Sequence, residues 1–269
     1  MGLMAYLWLT TTFLFPHGDL HQQIAAISKS IRAFPDSTQL YEERGGLYLL
    51  NEDFIEAHTD FSKCIHSGLL NTAVYLGLSK TSYYLDQPDS AIYYVDLAVR
   101  IDSMHYASLE WRASLLLLTT QYCKSALAYS QLISLARQPS PSLIMDAAQA
   151  SLHCPDASPS ADQILLDGIA HIGRLHVLEK ELVLVYLYEK RYDEALQVQT
   201  EMLEHWSFKA APYFDRAETY LLMGQKNRAL EDLHQALLSI DKLPAYKSST
   251  PAMKEIRSKI ISLRNQLEE

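Results

Sequence analysis

The chain has 269 residues, of which 48% are hydrophobic and only 9 are glycine, and its formal net charge is −9. This composition supplies a continuous apolar core and excludes a disordered or low-complexity chain. No run of lysine and arginine follows one face, so the charge argues against nucleic acid or an anionic membrane as a partner.

An apolar run extends from Leu3 to Phe15. It is shorter than the roughly 20 residues that a membrane-spanning helix needs, so we predict no integral span in the mature chain. Two interpretations stay open. Residues 1–18 are a signal peptide or apolar leader, which predicts export to the periplasm or the cell exterior. Otherwise the first helix of a repeat starts at Met4, and the protein is cytoplasmic. Against a signal peptide, no Lys or Arg precedes the apolar run and no A-x-A cleavage site follows it. Against the second interpretation, an exposed apolar helix at the terminus would tend to aggregate.

The next predicted helix runs from Asp19 to Ala33. Asp19 is a suitable N-cap, and three isoleucines at helical spacing form one apolar side. Pro35 ends the helix because proline cannot continue one. By position, this segment is the second helix of a repeat.

A helical hairpin follows, with small residues at fixed offsets. Gly45 allows the first helix to approach its partner, and Tyr48 lies one turn later. The second helix carries Ala57 and, one turn on, Phe61. Cys64 falls where a small buried residue is expected. The alanine then recurs every 34 or 35 residues, at Ala57, Ala91, Ala126, Ala161, Ala195 and Ala229. A fixed period in this range is typical of stacked helical repeats.

This phase predicts where each repeat begins. The starts are Thr38, Thr72, Tyr106, Pro141, His176 and Ala210. We attribute the first interval of 35 to a longer turn around Thr120 to Cys123. The unit at 141–175 is degenerate, because the loop from His153 to Pro159 contains two prolines that forbid helix. Ala161 keeps the phase, so we predict that the stack continues through this unit.

A final helix occupies residues 250–269. Thr250 is a cap residue, and Pro251 suits the first helical position. Five apolar residues form one stripe: Met253, Ile256, Ile260, Leu263 and Leu267. We predict a helix that caps the open core of the last repeat. A partner-binding or coiled-coil helix is the alternative.

Four groups of residues carry a family resemblance: Arg44-Gly45-x-x-Tyr48, Ala57-x3-Phe61, Arg216-Ala217-x-x-Tyr220, and Ala229 with Ala236. They resemble the tetratricopeptide repeat. The resemblance implies an all-α, tetratricopeptide-like α-solenoid, a right-handed superhelix of antiparallel helix pairs. It covers residues 19–241 in about five to six repeats, before the C-terminal capping helix. The segment from His17 to Ile24 after an apolar leader, together with the Thr-Pro-Ala-Met-Lys start of the last helix, also resembles exported bacterial repeat proteins.

The resemblance implies that the first helices of the repeats line a concave groove, which holds a partner peptide or helix. The partner-binding residues that it places there are Leu49, Lys80, Tyr83, Tyr84, Leu117, Lys180, Leu187, Tyr188 and Phe214. Leu50 and Leu118 lie beside them. The family's clamp for a C-terminal carboxylate is missing, since its positions hold residues such as Glu42 and Gly77. An apolar segment of a protein partner fits better.

No motif for nucleophilic, phosphate or zinc chemistry is present, and the three cysteines show no metal-ligand spacing. We therefore predict no enzyme activity, no metal and no cofactor, and we interpret the chain as a protein-interaction scaffold. Two alternatives stay open. One is a structural spacer or assembly factor in a cell-envelope complex. The other is an enzyme with a site near residues 153–159, where His153 and Cys154 lie side by side.

Overall fold

The computed structural model describes residues 17–268. This part of the chain forms fifteen α-helices and no β-strand. The helices are α1 His17–Ala33, α2 Thr38–Leu50, α3 Phe54–His66, α4 Thr72–Tyr84, α5 Pro88–Ile101, α6 Tyr106–Leu118, α7 Tyr122–Leu135, α8 Pro141–Leu152, α9 Ala161–Ile172, α10 His176–Tyr188, α11 Tyr192–His205, α12 Ala210–Leu222, α13 Lys226–Asp241, α14 Ala245–Ser248 and α15 Pro251–Glu268. The apolar run from Leu3 to Phe15 lies outside the described residues.

The six predicted repeat starts are the first residues of α2, α4, α6, α8, α10 and α12. Local chemistry explains several of these starts, because a side chain satisfies a free backbone N–H there. Asn71 accepts from the Val74 N–H at 2.8 Å, and Ser140 accepts from the Leu143 N–H at 3.2 Å. Pro88 is the first residue of α5, a position that suits proline.

Each of five first helices ends in the same left-handed turn. The fifteenth residue of the repeat has a φ between 59° and 72°, at Glu52, Asp86, Thr120, Lys190 and Gly224. Gly224 suits this place, because glycine is the residue most often found just after a helix C-terminus. The other four side chains occupy a conformation that favours glycine. Thr120 is the most strained type, because it is β-branched.

The chain divides into two compact units, one up to Ala128 and one from Tyr129 onward. In the first unit, α2 to α6 pack each against the next. The Phe61 ring fills the space between two glycines: a Cβ added at Gly45 would lie 3.1 Å from it, and one at Gly77 would overlap it. The predicted close approach at Gly45 is therefore present, and Gly77 extends it to the next repeat. Cys64 is fully buried, as predicted, and burial raises the pKa of its thiol to about 11.

In the second unit, α8 to α13 pack in the same succession, and α15 packs against α13. Ile260 of α15 is fully buried among Ala229, Leu233 and Ile240. Three more residues of the predicted stripe pack against this cluster: Ile256, Leu263 and Leu267. The last helix therefore closes the core beside α13, as a capping helix does.

The assignment of Ala126 to the alanine phase was wrong. Ala126 is only half-buried, whereas Ser125 is fully buried and donates to the Ala113 carbonyl oxygen at 2.9 Å. Ser125 is the fourth residue of α7, as Ala57 is of α3. The serine side chain is nearly as small as that of alanine. Because its hydroxyl has a backbone acceptor, it is tolerated in the core. The predicted longer turn near Thr120 is also wrong, because the additional residue lies in the connection from α7 to α8.

Two buried arginine–aspartate pairs repeat the same geometry. Arg44 donates to both carboxylate oxygens of Asp60 at 2.7 and 2.8 Å, and Arg216 donates to Asp232 at the same distances. Such bidentate pairs fix the angle between the two helices of a repeat. Each guanidinium also donates to a hydroxyl of the preceding helix and lies between two rings: Ser28, Tyr41 and Tyr48 around Arg44, and Thr200, Tyr213 and Tyr220 around Arg216.

Candidate functional site

The nine predicted partner-binding residues fall into two groups by exposure. Tyr84 and Tyr188 are 53% and 62% exposed. Lys180 is also exposed, and the other six are partly buried. Four of these six pack against core clusters of their own units: Leu49, Tyr83, Leu187 and Phe214. Much of the predicted contact surface is thus used for packing between helices.

The exposed members belong to a repeating feature. Five first helices end in a large apolar residue that is exposed by half or more: Leu50 70%, Tyr84 53%, Leu118 55%, Tyr188 62% and Leu222 60%. We call these the helix-end residues. Three lie in the first unit and two in the second. In the degenerate repeat, the equivalent Leu152 packs against the core instead. Leu222 was missed by the sequence interpretation, although the 34-residue phase from Tyr188 points to it.

In the first unit, four rings form a connected series that we call the aromatic chain. Phe54 stacks on Tyr84 with centroids 4.3 Å apart. Tyr84 meets Tyr83 edge-on at 5.6 Å, and Tyr83 meets Trp111 edge-on at 5.7 Å. These arrangements are favourable for aromatic quadrupoles. The series joins α3, α4 and α6. It therefore brings two predicted residues, Tyr83 and Tyr84, together with Phe54 and Trp111, which were not predicted as contacts.

Trp111 is held in place by hydrogen bonds. Its Nε1 donates to the Ser79 Oγ at 2.8 Å, and that hydroxyl donates to the Ala91 carbonyl oxygen at 2.7 Å. The indole face is therefore fixed before any ligand arrives. Lys80 places its Nζ 5.7 Å from the centroid of this ring, a cation–π distance. Burial lowers the pKa of the Lys80 ammonium, while Glu110 opposes that shift.

In the second unit, the corresponding helices carry carboxylates. The Lys180 Nζ lies 4.0 Å from Asp215 Oδ2, which joins α10 to α12. Burial raises the pKa of Asp215 and of Glu218, and for Glu218 the charge of Asp215 adds to the effect. Tyr188 meets the His153 ring edge-on at 5.5 Å. This unit therefore carries an exposed tyrosine at the end of α10 and carboxylates on α12.

The loop considered as an enzyme site shows packing contacts. Cys154 is only 7% exposed, and the His153 ring lies against Tyr188. Across the described part of the chain, no three His, Cys, Asp or Glu side chains are grouped so that they could hold a metal ion. None of the helices within residues 17–268 is long and apolar enough to cross a membrane.

Solved structures of other proteins resemble this fold, whereas the sequence comparisons found no match. No protein-family model and no curated protein matches the chain. A tetratricopeptide-repeat protein from Cytophaga hutchinsonii, solved as its C-terminal part, is similar with a TM-score of 0.68 and 13% identity, over 91% of this chain and 97% of that one. A tetratricopeptide-repeat protein from Parabacteroides merdae is similar with a TM-score of 0.56 and 14% identity, over 95% of both chains. PilW, a type IV pilus biogenesis factor, is similar with a TM-score of 0.53 and 14% identity, over 81% of this chain and 97% of that one.

These similarities establish the architecture. The chain is a helical-repeat protein of consecutive packed helix pairs. Its fold is that of the tetratricopeptide-repeat proteins, an all-α solenoid, as the repeat phase predicted.

Proposed function

We propose that this chain is a non-catalytic interaction scaffold that binds an apolar segment of a protein partner on its first helices. The observation that carries the proposal is the recurrence of the helix-end residues. A single exposed leucine or tyrosine on a surface is ordinary. Five at one position of the repeat, each preceded by a partly buried residue, favour a surface on each unit that is kept for contact.

The aromatic chain gives this surface anchors that lose little entropy on binding. Tyr84 is stacked on Phe54 and braced by Tyr83, so its ring is ordered in the free protein. Large, preordered aromatic side chains are the residues that most often dominate the binding energy of an interface. Among the predicted residues, Tyr84 and Tyr188 are the anchors that we propose. Lys80 and Lys180 supply charge, and Leu49, Tyr83, Leu117, Leu187 and Phe214 support the surface.

Affinity capture tests this proposal. Wild type, Tyr84→Ala, Tyr188→Ala and the double variant are used as bait in extract of the native cell, and captured proteins are identified by mass spectrometry. Tyr246→Ala is the matched control, because Tyr246 is 73% exposed but belongs to α14, which is not one of the first helices. We expect the partner to be lost from the double variant and retained by the control. Equal capture by the double variant and wild type would refute the assignment of the surface.

The assembly-factor alternative rests on different support. PilW shares the fold and acts in pilus biogenesis, and the apolar run at residues 1–18 would take such a factor to the envelope. Reading the N-terminal sequence of the native protein decides whether that run is removed. Hydrodynamic size in extract then distinguishes a permanent member of a large assembly from a monomer that binds transiently.

A further inference from the structure

Lys80 differs from every other lysine or arginine of the first helices. These helices carry five such side chains. Four of them have a carboxylate within 4.0 Å: Arg44 with Asp60, Arg112 with Asp96, Lys180 with Asp215 and Arg216 with Asp232. Among residues 17–268, the Lys80 ammonium has no such partner. It lies half-buried over the Trp111 ring, and Glu110 is the carboxylate whose charge acts on it from a greater distance.

An unpaired cation in this position is costly. Burial removes water from the ammonium, and the ring face returns only part of the lost solvation. A carboxylate that reached Lys80 would pair with it where water is partly excluded, so the attraction would be stronger than at an open surface. The aromatic chain lies directly beside the ammonium, since Tyr83 and Lys80 both contact the Trp111 ring. A bound segment could therefore contact the Lys80 charge and the apolar rings at the same place.

Resting on the proposed function, we propose that Lys80 receives a side-chain carboxylate of the bound partner. The first unit then selects an apolar segment that carries Asp or Glu next to its anchoring residue. The negative charge of nearby Glu110 offsets part of the ammonium charge and repels a dianionic phosphate more strongly than a singly charged carboxylate. The rings beside it, Tyr83, Tyr84 and Trp111, favour an aliphatic or aromatic neighbour to that acid.

The test uses an array of random 12-residue peptides that are acetylated and amidated, so that every carboxylate belongs to a side chain. Wild-type protein is expected to select peptides with Asp or Glu beside Leu, Phe or Tyr. For the best binders, replacing that acid by its amide should weaken binding about tenfold, the value of one charge-assisted pair. The preference should fade as salt is raised.

Two variants separate this inference from the proposed function. Lys80→Met keeps the length and apolar stem of the side chain, so it should still bind the apolar peptides but no longer distinguish an acid from its amide. Lys63→Met makes the same charge change at an exposed site on α3 and should keep the preference. Tyr84→Ala should weaken both classes of peptide alike.

Each outcome has a separate meaning. If wild type binds acid and amide peptides equally, or Lys80→Met keeps the preference, the inference about Lys80 is overturned and the apolar surface stands. If no peptide binds wild type, the proposed function fails and the inference fails with it.

Discussion

The packing of Phe61 between two glycines gives the sharpest prediction. A Cβ added at Gly77 would lie 2.5 Å from Phe61 Cζ and 2.8 Å from Cδ2, inside the 3.0 Å that such contacts keep. The ring is only 3% exposed, and a Cβ built on Gly45 would lie 3.1 Å from its other edge, so the ring has little space to move into. Overpacking of this kind costs about 1–3 kcal/mol. The better helix propensity of alanine offsets up to about 1 kcal/mol. We therefore expect Gly77→Ala to lose about 1–2 kcal/mol net.

Gly46 provides a matched control. It lies in the interior of α2, and no atom lies within 4 Å of a Cβ added there. Gly46→Ala should therefore gain about 0.5–1 kcal/mol from helix propensity alone. Thermal unfolding followed by circular dichroism measures both variants, with a shift of about 2–4 °C expected per kcal/mol. A repeat array can unfold in parts, so native-state hydrogen exchange of α3 and α4 supplements the midpoint.

The order of the two midpoints decides the argument. Gly77→Ala must unfold below wild type and Gly46→Ala above it. A Gly77→Ala midpoint equal to or above that of Gly46→Ala would show that the helices separate freely at Phe61. Adding Phe61→Leu to Gly77→Ala should recover part of the loss, because the smaller side chain vacates the space that the new methyl needs.

Three further predictions concern stability. Thr120→Gly should raise stability by about 1 kcal/mol because it removes a β-branched residue from a φ of 59°, whereas Thr119→Gly should lower it, and thermal midpoints compare the two. Arg216→Met should cost about 3 kcal/mol in urea unfolding because it leaves the Asp232 carboxylate buried and unpaired, and adding Asp232→Leu should restore much of that loss. Burial raises the folded-state pKa of Asp215, so the folded state binds this proton more tightly than the unfolded state does. Stability therefore falls as pH rises from the ordinary carboxyl pKa of about 4 toward the raised pKa. Asp215→Asn should flatten this fall in a pH series of unfolding midpoints, and an unchanged slope would contradict the sign.

The periodic small residues made the fold predictable. Alanine at the fourth position of α3, α5, α11 and α13 is a packing requirement, so its spacing gives the repeat starts, and all six predicted starts are helix starts in the structure. The same rule failed at Ala126, where serine replaces alanine one residue earlier. Composition alone cannot tell that a serine whose hydroxyl bonds to a backbone carbonyl is equivalent to alanine. Only the hydrogen bond seen in the structure shows that Ser125 can take the place of alanine.

The surface was less predictable than the core, for a physical reason. Periodicity identifies which helix face a residue occupies, but not whether its side chain lies over a neighbour or extends into solvent. Leu49 and Leu50 are both apolar and adjacent, yet one packs and the other is 70% exposed. Trp111 was not among the predicted partner-binding residues. Its contacts with Tyr83 and Lys80 come from the neighbouring helix and depend on how closely α4 and α6 approach.

One adjacent pair of residues can separate binding from folding. Tyr83 is partly buried and touches Trp111, whereas Tyr84 is 53% exposed and rests on Phe54. Tyr83→Ala should cost about 2–3 kcal/mol of stability, since it opens space in the core as well as removing a ring contact. Tyr84→Ala should cost about 1 kcal/mol or less, the value of one exposed stacking contact.

If recognition uses the helix-end residues, the two variants must differ in a second measurement. Tyr84→Ala should weaken capture of the partner while its thermal midpoint stays near that of wild type. Tyr83→Ala should lower the midpoint, and at a temperature where it is still folded it should keep part of its binding. A Tyr84→Ala protein that binds as well as wild type would show that the exposed ring serves the fold alone. The proposed surface would then have to be abandoned in the first unit, whatever the result at Tyr188.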